Sequence, residues 1–316
     1  MKIVIPGGSG QVGTILARAF FRDGHDVVVL SRNVGRPVPW RVAVWDARSL
    51  GSWTSEIEGA DAVVNLAGRS VNCRYSSANR REIMDSRVNS TRCIGEAIAR
   101  AARPPRVWLQ ASTATIYAHR FDEPNDEESG VLGGSEPGAP ETWRFSIDVA
   151  KAWEQAATAI PLPQTRVVLM RSAMTMSPDR GGIFDTLRKL VRCGLGGRAG
   201  KGDQFVSWIH EVDFVRAVNW LINREDLEGP VNLASPHPLP NVEFMRVLRD
   251  SCGVPFGLPA THLMLELGAI FLRTETELIL KSRRVIPGRL SKRGFQFEFP
   301  TWPEAARDLC QRAKDE

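Results

Sequence analysis

Long apolar runs are missing from this chain. Nothing among its 316 residues approaches the ~20 consecutive apolar positions that a membrane-spanning helix needs, so no membrane partner is expected. The apolar opening, residues 1–5, runs straight into glycines and is not expected to act as a secretory signal. Cysteine is scarce: Cys73, Cys93, Cys193, Cys252 and Cys310 are far apart, with no CxxC pair and no metal-like spacing. That pattern points to reduced thiols, a cytoplasmic location and no bound metal. There is no GxSxG elbow and no spaced His/Asp cluster, which removes serine hydrolysis and metal chemistry. Internal repeats and low-complexity tracts are absent too. Charge of one sign is modest, 41 Lys and Arg against 36 Asp and Glu, and no basic block carries interleaved aromatics. Nucleic acid is therefore not an expected partner, whereas an anionic small molecule suits the +5 balance. The assembly, up to a homodimer, is left open.

What is present is a regular alternation. With 43% hydrophobic residues the chain can bury a full core, as one large domain or two intimate ones. Residues 2–6, 25–31, 41–46, 62–66, 107–111 and 165–170 read as buried strands. Residues 12–22, 79–103 and 147–158 read as helices between them. Continuous β-branched runs separated by helices predict a parallel sheet covered on both faces. The fold class is α/β, doubly wound, with ligand expected beyond the carboxyl ends of the strands. Residues 119–142 break the rhythm with Gly, Pro and seven acids, Asp122, Glu123, Asp126, Glu127, Glu128, Glu136 and Glu141. A loop that long is functional or solvated, so a mobile lid and a plain surface loop both fit. After Pro236 the pattern turns mostly helical, including residues 261–281, and a smaller C-terminal lobe is expected to start there.

The glycine turn carries the clearest chemistry. Gly7-Gly8-Ser9-Gly10-Gln11-Val12-Gly13 satisfies both GxGxxG and GxxGxxG, follows a strand and opens a helix. Glycine there allows positive φ and close backbone approach to a pyrophosphate, which the helix N-terminus attracts. A Rossmann-type dinucleotide site follows, with Gly7, Gly10, Gln11, Val12 and Gly13 at the phosphates. An NAD-specific site would place an acid after the second strand, to hold the ribose 2′-OH. This chain has Ser31-Arg32 instead, with Arg36 nearby, which suits a 2′-phosphate and selects NADP over NAD. Asp46 is placed to meet the adenine, and Leu66, Ala67 and Gly68 to flank the ribose and diphosphate.

These residues and others spread along the chain resemble the extended short-chain dehydrogenase/reductase family. The likeness is nearer to an atypical branch called nucleoside-diphosphate-sugar epimerase-like, or cell-division-inhibitor-like. The pieces are the glycine turn, Asn65–Gly68 as NLAG, Asp85-Ser86-Arg87 with Thr91, ASTATIY at 111–117, and Trp153-Glu154. SWIH at 207–210 with Asp213, GPVN at 229–232, LKSRRVIPGRL at 280–290 and GFQF at 294–297 complete them. The resemblance implies Arg87 and Ser112 at the cofactor. It also implies a substrate lobe woven from residues after 171, chiefly 173–206, and from 236–316, against a dinucleotide domain over 1–235.

Departures from the family pattern matter as much. The family's chemistry rests on Tyr-x-x-x-Lys plus a Ser or Thr, the Tyr serving as general acid/base. Thr113 matches the Ser/Thr and Lys151 the Lys, but the residue four before Lys151 is Ile147. The only tyrosines are Tyr75 and Tyr117, so the usual acid/base is absent. Arg87 also stands where the wider family has Asn, and Val206-Ser207 where many sugar-nucleotide enzymes have Arg-Asp. Tyr117, four residues after Thr113, is either the substitute, with Lys151 as the cation that lowers its pKa and His119 as an alternative proton carrier, or a residue that packs beside the cofactor, as the equivalent residue commonly does in the family. His210 is expected to be a structural histidine bonded to nearby backbone, and Trp108, Trp153 and Trp208 to pack in the core. The basic stretch around Arg188, Lys189, Arg192, Arg198 and Lys201 is either a grip for a substrate phosphate or a solvated face. Two functions stay open. One is an NADP-dependent oxidoreductase or epimerase on a small polar molecule, nucleotide-sugar-like compounds being one candidate. The other is a cofactor-sensing protein without turnover.

Overall fold

The computed structural model describes residues 1–35, 37–136, 139–261, 264–265 and 275–315. β1 (Lys2–Pro6) leads through the glycine turn into α1 (Gln11–Arg22), and β2 (Asp26–Ser31) follows. The alternation continues through β3 (Arg41–Val44), β4 (Ala62–Asn65), α2 (Ser77–Arg100), β5 (Val107–Thr113), α3 (Glu141–Thr158) and β6 (Arg166–Ser172). Then come β7 (Met174–Met176), α4 (Ile183–Arg192), β8 (Phe205–Val206), β9 (Trp208–His210), α5 (Glu211–Asn223) and β10 (Gly229–Leu233). β11 (Leu239–Pro240) and α6 (Asn241–Cys252) precede the short helices Glu277–Leu280 and Gly288–Lys292 and the C-terminal helix Trp302–Asp315.

Seven strands form one sheet in the order β10-β6-β5-β4-β1-β2-β3, and every pairing in it is parallel. Winding proceeds outward in both directions from β1 and β4, so a crevice opens at their carboxyl ends, where ligands bind in such sheets. The strands are buried on both faces. Ile3, Ile5, Val27 and Val29 pack with Leu16 and Phe20 of α1 and Phe214 and Leu221 of α5. Val4, Val28 and Val63 pack on the other face with Ile94 and Ile98 of α2 and with Trp108. Each such side chain contributes roughly 1.5–3 kcal/mol by leaving water. α1 is amphipathic to match: Ile15, Leu16, Ala19 and Phe20 are buried while Arg18 and Arg22 face out.

A third core joins α4, α6 and the C-terminal helix. Trp302 stacks on Phe244 at 4.1 Å, meets Trp208 at 5.0 Å, and donates its Nε1 hydrogen to the Phe244 carbonyl at 3.0 Å. Trp108 and Trp208 are fully buried and Trp153 nearly so, which is the core role their sequence setting implies.

β10 was not legible as a strand. It is a short edge strand opening on Gly229-Pro230, and Pro is tolerated there because an edge leaves one side of the ladder free. α3 starts at Glu141, six residues ahead of the sequence estimate, directly after Pro140. The helix expected over 261–281 lies largely outside the described residues; within that range Glu277–Leu280 is a short helix of its own.

The acid-rich segment after β5 is fastened down rather than hanging free. Ala118 and Gly133 bond back across it to Val131 and Ile116. Asn125 exchanges backbone bonds with the tail, its N–H donating to Arg284 at 2.6 Å and its carbonyl accepting from Ile286 at 3.0 Å. Glu127 is wedged between the backbone N–H groups of Asn232 at 2.7 Å and Arg289 at 3.0 Å.

Candidate functional site

The crevice at β1 and β4 is a cavity of about 570 Å³. Gly7, Gly10, Ser31, Arg32, Asp46, Leu66, Ala67 and Gly68 all line it, so most of the residues that the sequence assigns to a cofactor share one cleft. Two strand-end bonds shape it: the Gly7 N–H donates to Leu30 O at 2.9 Å and the Leu66 N–H to Pro6 O at 2.8 Å. Behind them the buried Asn65 donates to Gln110 Oε1 at 2.8 Å and accepts from the Ala67 N–H at 3.1 Å. That pair fixes the β4 and β5 ends relative to the turn.

The glycines are sterically required. Gly7 has φ +75°, and a Cβ on it would lie 2.7 Å from the Ala67 backbone. A Cβ on Gly13 would lie 2.4 Å from the Gly8 Cα, which is the close packing of helix against strand. α1 has no side-chain cap and no acid in its first turn. Its first N–H groups, at Gln11, Val12 and Gly13, have no partner within the helix, so its positive end is free to meet an anion. A dinucleotide pyrophosphate fits this cradle.

At the far end of the cleft no acid follows β2. Ser31 donates to Ser9 Oγ at 3.1 Å, tying β2 to the glycine turn, and Arg32 is exposed at the rim. Arg48 lines the same rim and was not singled out by sequence, because Asp46 beside it carried the adenine expectation. Asp46 itself lines the cleft, but its carboxylate turns into the loop. It accepts from the Ser49 hydroxyl at 2.5 Å and from the Ser49 and Arg48 N–H groups at 2.9 Å, bonds that lower its pKa to about 2. Arg36 lies outside the described residues.

Two residues expected at the cofactor are engaged by protein partners. Ser112 is buried and donates to Glu154 Oε1 at 2.6 Å. Arg87 packs behind Gly68 and over the Trp153 ring at 4.9 Å, donating to the Arg69 and Ile83 carbonyls at 3.0 and 3.1 Å. Burial lowers its pKa to about 10. It is a cation backing the cleft floor rather than lining it.

The expected catalytic set is not assembled as a Tyr–Lys pair. Tyr117 is buried, and its hydroxyl donates to Asn232 Oδ1 at 2.9 Å while accepting from Arg171 at 3.0 Å. Burial raises its pKa, outweighing the Arg171 charge. Lys151 is exposed and donates to the Gly133 carbonyl at 2.8 Å. The Tyr117 proton is thus committed to Asn232, and among the described residues no lysine is hydrogen-bonded to its hydroxyl. Tyr117 belongs instead to a buried network. Arg171 forms a two-pronged pair with Glu154 at 2.8 Å on each prong, and Asn232 reaches the Ile286 carbonyl at 2.9 Å. Burial works against the Arg171 charge, but the Glu154 bonds hold its pKa above the ordinary value.

Thr113 remains half-buried at the end of β5, its Oγ1 accepting from the Thr115 N–H at 3.2 Å. His119 is half-buried close by in sequence. Its Nδ1 accepts from the Ser282 N–H at 2.7 Å, which places the ring proton on Nε2, an atom with no hydrogen-bond partner among the described residues. Burial, then the Lys281 charge, lower its pKa, so the ring stays neutral. The basic turn Lys281-Ser282-Arg283-Arg284, which the sequence suggests should pack over the carboxyl end of the sheet, meets the segment after β5 here. Lys281 is buried and donates to the Thr115 carbonyl at 2.7 Å, and Arg283 donates to Thr115 Oγ1 at 3.1 Å. Burial, then Arg283, lower the Lys281 pKa to about 8.

Outside the cleft, Arg188 and Lys189 pair with Asp185 of their own helix. Arg198 lines a separate cavity of about 510 Å³ together with Arg246 and Arg249. His210 caps α5: its Nδ1 accepts from the Val212 N–H at 3.2 Å, its Nε2 meets Asp308 at 3.0 Å, and its ring stacks on Phe299 at 3.9 Å. Burial lowers its pKa from 6.5 to about 4. The unfolded chain therefore takes up this proton first, so the histidine's contribution is complete above pH 6.5 and is lost as pH falls to about 4. The loss is expected to reach about 3 kcal/mol. Urea unfolding at pH 7 and pH 4.5 should show a steeper fall for the wild type than for His210→Asn; parallel falls would contradict it.

Sheet order, glycine cradle and the acid-free end of β2 define a dinucleotide-binding protein of the short-chain dehydrogenase/reductase type. The chain belongs to the NAD dependent epimerase/dehydratase family, whose model matches residues 3–234. It is an atypical extended member, without the family tyrosine. A second model, described as a domain of unknown function (DUF1731), matches residues 262–309. Among curated relatives, epimerase family protein SDR39U1 of Bos taurus is 30% identical over 313 residues, 98% of this chain and 99% of its own. Epimerase family protein Mb2239 of Mycobacterium bovis is 32% identical over 307 residues, 96% of this chain and 95% of its own. The crystal structure of human SDR39U1 (isoform 2) with NADPH is similar at a TM-score of 0.86 and 28% identity, covering 98% and 99% of the two chains. Among the described residues no helix is long and apolar enough to cross a membrane, and no cluster of His, Cys, Asp and Glu is arranged to hold a metal.

Proposed function

We propose that this chain binds NADP in the β1–β4 cleft and is an oxidoreductase or epimerase acting on a small polar substrate. The observation that carries the cofactor assignment is the end of β2, where Ser31 and Arg32 stand in place of an acid, with Arg48 lining the same cleft. The human relative's structure with NADPH supports the same assignment. Bound there, the dinucleotide supplies hydride exchange at its nicotinamide. Gln11, Val12 and Gly13 hold the phosphates by their N–H groups, and Lys151 holds the ribose hydroxyls. Residues from about 236 onward, with 173–206, form the substrate lobe.

Proton handling is reassigned in this reading. Thr113 and the Nε2–H of His119 act as two neutral donors to a substrate oxygen at the mouth of β5. Lys281 and Arg283 hold the Thr115 turn that presents them. Tyr117 is a packing residue. The competing reading, NADP sensing without turnover, draws on the absence of a free tyrosine, since Ile147 fills the family position and is buried.

Calorimetric titration tests the cofactor choice. NADPH should bind at least about tenfold tighter than NADH, worth about 1.4 kcal/mol, and Arg32→Asp should reverse the order. Equal affinities in the wild type would contradict the proposal.

A further inference from the structure

Two cysteines that are 58 residues apart in sequence meet in the third core: the Sγ atoms of Cys252 and Cys310 are 3.3 Å apart. Cys252 is the last residue of α6, followed by Gly253 in the left-handed conformation, so its side chain sits where the helix ends and the backbone can adjust. Cys310 lies inside the C-terminal helix, and the Phe244–Trp302 stack already presses the two helices together. A disulfide needs the sulfurs only about 1.2 Å closer than this.

The two thiols are not equivalent. Cys310 is buried, whereas Cys252 is partly open to solvent. The hydrogen bond between them lowers the Cys252 pKa and raises that of Cys310, and the cations Arg188, Arg192 and Lys314 act on Cys252 in the same lowering sense. An accessible thiolate-forming cysteine beside a buried partner is the arrangement of an attacking and a resolving thiol.

We propose that Cys252 and Cys310 are a redox-active dithiol, oxidised by low-molecular-weight disulfides to a bond that staples α6 to the C-terminal helix. The Cys252 thiolate attacks one sulfur of the disulfide, and the other leaves as a thiolate that takes up a proton. Cys310 then gives up its proton and attacks the Cys252 sulfur of the mixed disulfide, expelling the second small thiol. Two protein thiols and one small disulfide become one protein disulfide and two small thiols.

The full chain, held folded with glutathione disulfide and then digested, should yield a peptide joining Cys252 to Cys310, lost again with dithiothreitol. Its melting temperature should rise by roughly 5 °C on oxidation, as expected for closing a long loop. Cys310→Ser should instead accumulate a single glutathione adduct on Cys252, formed at least about tenfold faster than any on the exposed Cys193, in line with the cations Arg188, Arg192 and Lys314 that act on the Cys252 sulfur. Oxidation that joins no such peptide in the wild type, or adducts on Cys193 that outpace Cys252, would overturn the proposal. The wild-type peptide map decides the matter even if Cys310→Ser does not fold.

Discussion

Glu154→Ala is expected to destabilise the chain by about 3–5 kcal/mol, because it strands the buried Arg171 cation. Arg171 is 7% exposed and both prongs of its pair end on Glu154. Truncation also removes the acceptor of the Ser112 hydroxyl and leaves the Tyr117–Arg171 bond to carry a full charge alone. Paired replacement, Glu154→Leu with Arg171→Met, removes both charges and should restore much of the loss, since an apolar pair of similar volume costs little desolvation. Urea unfolding of the three proteins reads this out. A single mutant within about 1 kcal/mol of wild type would mean that water already screens the pair, as at a surface site.

At the mouth of β5, His119→Ala and Thr113→Ala are each expected to lower kcat by about 10²-fold or more, the scale on which lost oxyanion-type donors are felt. The assay needs a substrate, found by screening small polar carbonyl compounds and alcohols with NADPH or NADP. With the lowered His119 pKa the ring is neutral at pH 7, so kcat should stay level around neutrality and decline only as acid protonates Nδ1 and breaks the Ser282 bond. Tyr117→Phe should keep the wild-type pH profile despite costing stability through Asn232 and Arg171. A lost alkaline limb in Tyr117→Phe would return the tyrosine to the chemistry.

Much of the dinucleotide half was legible because its signals are local. The glycine turn lies between one strand and one helix, and β-branched runs mark β1, β2 and β4 without reference to anything distant. β3 was read to Asp46 but ends at Val44, where the Asp46 turn takes over its backbone. Long-range pairings left no local trace. For Tyr117 a proton donor and a packing residue were both open, because spacing shows only proximity along the chain, whereas its partners Arg171 and Asn232 lie 54 and 115 residues away. The same holds for Lys281 against Thr115 and for Cys252 against Cys310. On β5 the Ser112 hydroxyl bonds to Glu154 while Thr113 stays half-buried, a difference set by strand alternation and a partner 42 residues away.

The most direct test is a crystal structure of the chain with NADPH. The adenosine 2′-phosphate is expected beside Ser31, Arg32 and Arg48, the pyrophosphate on the N–H groups of Gln11 and Val12, and the nicotinamide ring within reach of Thr113 and His119. A dinucleotide that leaves the glycine turn empty, or whose 2′-phosphate points away from Arg32, would contradict the proposed function.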